Sequence, residues 1–245
     1  MMVRTALRAA VDQLRMQGLS PLALLSGVAL PCVFAYVLHS YRGGRTDAEL
    51  AVGVAGLGIL DALVVLVTLG FLAEKSWKTL QPALGSPGGL APIVLGRLLG
   101  MGVQSLLSIP GTLVFLVAMW GLAPRFDWPR WLVGTAVLAV ATTSVMGLLG
   151  FVVLRFPFSP GMTNGIVGLV LSLSALLAPV SALPAVLRAP AWVLPQSQVM
   201  AWVRGGGTGH LLLGCLLSVV AAVAVVGLIR LLERSARRQS LSLEA

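Results

Sequence analysis

The chain has 245 residues, of which 58% are hydrophobic and 10% charged, with a formal net charge of +9 and a mean hydropathy of +0.97. Ordinary soluble domains carry about 25% charged residues, so the composition excludes a soluble globule and indicates an integral membrane protein. No basic run is interleaved with aromatics on a soluble face, so the positive charge is not a nucleic-acid footprint and no nucleic-acid partner is expected.

Residues 1–19 open the chain. Val3, Leu7, Val11 and Leu14 recur at helical spacing on one face, and Arg4, Arg8, Asp12 and Arg15 occupy another, as in a helix lying on a membrane surface. Gly18 and Pro21 then allow a sharp entry into the bilayer. A hydrocarbon core of about 30 Å needs about 20 apolar residues, and six segments are read as spans: 22–38, 50–73, 93–122, 131–154, 165–187 and 211–229. They are taken as helices, because backbone groups in lipid must be satisfied within the segment and the alternation of a membrane barrel is absent. The expected fold is thus all-α, a single transmembrane domain over 1–245.

Pro31 and Pro110 should kink the first and third spans. Asp61 interrupts the second span midway, where a carboxylate is costly, so it faces the bundle interior or a wet cavity, or is protonated. Residues 74–89, EKSWKTLQPALGSPGG, form a polar interruption with helical spacing. Trp77, Leu80 and Leu84 fall on one stripe, and a stripe exposed outside the membrane wants a partner. Ser86 and Pro87 end this short helix and turn the chain back. Arg97, near the start of the third span, is expected to snorkel to head groups. Residues 179–209 hold four prolines with Trp192 and Trp202, too broken to span and too apolar for a free loop, and are read as a re-entrant or external cap. Residues 230–245 form a tail.

Orientation follows the Lys and Arg bias. Placing both termini in the cytoplasm puts 11 basic residues inside and 6 outside, which favours that topology, with inner charges also meeting anionic lipid. Cys32 and Cys215 lie alone in apolar spans and read as packing residues. His39 and His210 stand singly at the outer ends of the first and last spans and read as interfacial. Nothing suggests a catalytic constellation, a metal site or a bound cofactor, and no phosphate-binding loop is present.

The stretch Glu74, Lys75, Thr79, Leu80, Leu84, Ser86, Pro87, followed by Gly96 and Arg97, resembles the permease subunit of type-2 ATP-binding-cassette exporters. There an acid and a base precede Gly-Thr-Leu, a mostly apolar run, Ser-Pro, and a later Gly with Lys or Arg. The segment between the last two spans, with Pro184, Pro195 and Arg204, echoes that family's proline-punctuated external hairpin, and the N-terminal helix adds a third match. Lys78 stands where the family has Gly, and Pro82 interrupts the helix.

The resemblance implies a bacterial plasma-membrane permease working as a dimer, of two copies or of two different permeases. A separate cytoplasmic ATPase would hold the ATP and Mg. It would grip the helix after the second span at Glu74, Lys75, Trp77, Lys78, Thr79, Leu80, Leu84, Ser86 and Pro87, together with the N-terminal helix. Pro184, Pro195 and Arg204 would belong to an external gate. The cargo expected is a hydrophobic or amphipathic drug or antibiotic, or a lipid, with lipid-linked glycan export as an alternative. A stand-alone secondary transporter using Asp61 is the rival from another class, weakened by the lack of visible internal repeats.

Overall fold

The computed structural model describes residues 2–17, 25–41, 44–77, 89–156 and 160–243. Among these residues the regular elements are all helical. They are α1 (Met2–Gln17), a π-helical turn (Leu25–Ala29) running into α2 (Leu30–Tyr41), α3 (Ala48–Ser76), α4 (Leu90–Ser105), α5 (Ser108–Trp120), α6 (Trp128–Arg155) and α7 (Pro160–Leu173). A 3-10 turn (Val180–Ala182), α8 (Ala185–Val193), α9 (Pro195–Val203) and α10 (Thr208–Leu243) complete the order. Four helical stretches are long and apolar enough to cross a membrane: α3, α4 with α5, α6, and α10 as far as Ser235. On that ground the chain is a membrane protein.

Helix α3 is the centre of the bundle. It is apolar around its whole circumference, and such a helix is stable only when enclosed. Helices α6, α5, α2, α4, α7 and α9 all pack on it, and each residue from Leu50 to Leu60 is buried. Its start is fixed by Asp47, whose carboxylate accepts from Leu50 N at 2.8 Å. Asp127 caps α6 in the same way, accepting from Arg130 N at 3.0 Å.

Both expected kinks have a backbone account. Pro31 has no N–H for the Gly27 carbonyl one turn earlier, and the widened π turn directly before it accommodates the ring. In the third span α4 and α5 are separated by a turn at Leu106 and Leu107. Pro110 cannot donate to the Leu106 carbonyl, which instead accepts from Ile109 N at 3.0 Å. That diverts Ile109 from its usual acceptor, Ser105 O, which takes the Ser108 hydroxyl at 2.9 Å. The same hydroxyl also lies 3.2 Å from Ala55 O on α3, so the break is stitched to the central helix.

The single helix expected over 165–187 does not form. Helix α7 ends at Leu173, where Ala175 takes a positive φ of 56°, a conformation that stops a right-handed helix. Pro179 and Pro184 prevent its resumption until α8. At 14 residues α7 is about 21 Å long, short of a hydrocarbon core of about 30 Å. For the first span, 25–41 are helical or π-helical, while residues 22–24, Gly18 and Pro21 lie outside the described residues.

The crossing of α2, α3 and α5 depends on Gly58. A Cβ there would sit 2.7 Å from the Pro31 ring, 2.7 Å from Ser108 Cβ and 2.8 Å from the Gly27 carbonyl oxygen. Gly58→Val is therefore expected to lower stability by about 1–3 kcal/mol through overpacking, read as a fall in the melting temperature of the detergent-purified chain. Gly165→Ala, where an added Cβ meets nothing within 4 Å, should leave it unchanged or raise it.

Candidate functional site

At the C-terminal end of α3 four elements converge. Glu74 is only 6% exposed and forms an ion pair with Arg97 of α4. Arg97 thus turns inward to a carboxylate rather than snorkelling outward as expected, because α4 packs against α3 and brings the two residues face to face. Asp12 of α1 adds a second opposite charge near Arg97. Lys75 Nζ donates to Phe156 O at the end of α6, at 2.8 Å. From α10, Glu233 accepts from Ala91 N at 3.3 Å and so supplies a carboxylate to the unsatisfied N–H groups of the first turn of α4. Gly89, at φ +77°, leaves the space into which that carboxylate fits.

Helix α1 is seated on α4 by a face that the two-sided reading of its sequence missed. Ala6 O lies against Gly96, and a Cβ at Gly100 would stand 2.8 Å from Ala10 O and 2.9 Å from Gln13 Cβ. The small residues Ala6, Ala9 and Ala10 thus form a packing strip, while Val3, Leu7 and Val11 remain exposed. Trp77, immediately beyond α3, is 73% exposed. Lys78, Thr79, Leu80, Leu84, Ser86 and Pro87, the rest of the expected contact helix, lie outside the described residues.

The opposite end of α3 carries a second ion pair. Arg204, just after α9, donates from Nε to Glu49 Oε1 at 2.8 Å and from Nη2 to Ala175 O at 2.7 Å. It therefore ties the ends of α7 and α9 to the start of α3. Pro195 opens α9 and Pro184 precedes α8, so the three residues expected at an external gate frame one compact helical cap. A cavity of about 70 Å³ beside Arg204 is lined by Trp192, Ser197 and Gln198 among others. His39, in the last turn of α2, is buried and stacked on Trp120 with ring centroids 4.0 Å apart. His210 Nδ1 lies 2.9 Å from Gln198 Oε1.

Asp61 lies between these ends, near the middle of α3. It borders a cavity of about 100 Å³ whose other walls are Leu30, Pro31, Phe34, Leu57, Leu60 and Leu171. The chain has eight acidic residues, of which Glu244 is outside the described set. Asp47 and Asp127 cap helices, Glu233 serves α4, Glu49 and Glu74 hold arginines, and Asp12 faces Arg97. Asp61 alone, among the described residues, has neither a hydrogen bond nor an ion pair. Among the same residues no group of three or more His, Cys, Asp or Glu assembles as a metal site.

Sequence reasoning passed over Glu49, Glu233 and the Glu74–Arg97 pairing. The available signal was scarcity: with 8 acidic against 17 basic residues, an acid flanking an apolar span is a candidate partner for an arginine at the same membrane level. Compared with known proteins, the chain matches no family model, no curated protein and no solved structure.

Removing one member of a buried pair leaves the other charge uncompensated, at a cost of about 3–5 kcal/mol. Arg97→Met is expected to destabilise the chain by roughly that amount, and the double change Glu74→Gln with Arg97→Met to recover much of it. Thermal unfolding of the four species in detergent, analysed as a double-mutant cycle, measures the coupling.

Proposed function

We propose that this chain is the permease subunit of a type-2 ATP-binding-cassette exporter, moving a hydrophobic or amphipathic small molecule or a lipid and powered by a separate ATPase. The observation that carries this reading is the convergence at the C-terminal end of α3. The surface helix α1 and the exit of α3 at Glu74–Trp77 are far apart in sequence, yet both meet α4 within one charged cluster. In the resembled family these are the two elements an ATPase grips.

The cluster also suggests how a push there would travel. An ATPase closing on Trp77 and α1 acts on residues linked through Arg97 to α4 and through Lys75 to α6. Because α3 touches most of the bundle, its displacement repacks several helices together, as a switch between two discrete arrangements requires. The nucleotide state moves such an equilibrium only through different contacts in the two arrangements. On this reading the chain crosses six times, α7 covering only part of the fifth crossing, both termini lie in the cytoplasm of a bacterial cell, and two permeases pair. The Arg204 cap would then lie outside, where cargo leaves.

A second reading, a proton-driven secondary transporter, is favoured by Asp61, which borders an apolar cavity near mid-membrane. One experiment separates the two. The chain is co-expressed with the ATPase subunit from its own locus, reconstituted in lipid and assayed for ATP hydrolysis and cargo movement. The export reading expects no hydrolysis by the chain alone and a stable ATPase complex. Trp77→Ala should weaken that complex about tenfold or more, as loss of an aromatic anchor does, whereas Val140→Ala, on the exposed side of α6, should not. Transport that needs no ATPase, follows a proton gradient and is lost in Asp61→Asn overturns it.

A further inference from the structure

We propose that the Asp61 cavity is a binding site for a monocationic amphiphile, an ammonium group carried on an apolar body. Three observations select that chemistry. First, the other described acids each serve a cap or face a basic residue, which leaves Asp61 as the carboxylate without a polar contact among the described residues. Second, six apolar residues share the cavity with it, so a complementary ligand has one positive centre and hydrocarbon around it. Phe34 adds an aromatic ring, the companion that a weakly hydrated alkylammonium prefers. Third, the size fits a head group. The volume is about 100 Å³, less than the cavity of about 150 Å³ that takes benzene, so the fitting head is an ammonium smaller than benzene, with at most two methyl groups, and a drug-sized molecule does not enter whole.

The remainder of such a ligand has a path. Leu30, on the cavity rim, continues into Val33 and Val37, three exposed apolar residues on one face of α2, against which an alkyl tail lies alongside lipid. A carboxylate near mid-membrane is poorly solvated, and a cation that arrives with its own apolar coat satisfies it without water. This site deepens the export reading by naming its cargo class and rests on that reading for transport, though not for binding.

The test is equilibrium binding of radiolabelled dodecyldimethylammonium, the protonated tertiary amine, to the full chain in phosphatidylcholine nanodiscs, with empty nanodiscs subtracted and no ATPase present. The expected result is saturable binding, weakened about tenfold or more in Asp61→Asn, as for loss of one partner of a desolvated charge pair. Leu171→Trp, which fills the cavity and keeps the carboxylate, should abolish it. Excess dodecanol should fail to displace the cation. Equal binding by Asp61→Asn, or displacement by dodecanol as effective as by unlabelled cation, overturns the proposal. If Asp61→Asn does not fold, undiminished binding by Leu171→Trp overturns it on its own. No saturable binding alongside an intact ATPase complex refutes this site and leaves the export reading standing. Binding by a chain that engages no ATPase refutes the export reading and leaves the site.

Discussion

A helix that is apolar on every face, with a carboxylate near each end, sets the terms for the rest of this molecule. Lipid tails are as apolar as leucine, so no hydrophobic force draws helices around α3; close packing and specific polar contacts must do so. Small residues allow the approach, most clearly at Gly58, where two helices and a proline-freed carbonyl come within contact of the central backbone. Glu49 and Glu74 are 25 positions apart on that helix, or about 37 Å at 1.5 Å per residue. The Glu49–Arg204 and Glu74–Arg97 pairs therefore bracket a layer somewhat thicker than the hydrocarbon core, and both α9 and α4 take their positions from α3.

Several polar groups within that layer are satisfied close to home. Thr135 and Thr142 return their hydroxyls to carbonyls four residues earlier, at 2.7 and 2.8 Å, so they demand nothing from neighbouring helices. Ser108 repairs the break that Pro110 opens and reaches α3 as well. Asp61 departs from that pattern, as does the buried Thr68 hydroxyl two turns further on, and of the two Asp61 alone is ionisable, which makes it the place where the fold leaves chemistry unspent.

Much of this architecture was legible in the sequence, and the limits have physical reasons. Spans 50–73 and 131–154 appeared as helices with ends displaced by a few residues, because apolar length is a direct reading of what lipid tolerates. Both proline kinks were readable because a missing N–H has a fixed address one turn back. The segment 165–187 misled, because apolarity carries no mark of where a backbone turns left-handed, and Ala175 does so with no glycine to announce it. The amphipathic pattern of α1 marked the apolar face that stays exposed but not the alanine strip, since small residues weigh little in any hydrophobic count. Partners such as Glu233 for α4, 142 residues apart, follow from tertiary closure alone.

The aromatic residues divide the molecule unequally. Trp120, Trp128, Trp131, Trp192 and Trp202 gather around the Glu49 end, tied to one another or to nearby rings and cations, whereas Trp77 stands by itself beside Glu74 and Lys75. Indoles favour the membrane interface, so the protein carries a built-in optical label for each leaflet. A quencher confined to one side of a sealed vesicle meets either five emitters or one, and the emission that survives reports which way the chain is inserted without any tag or engineered site.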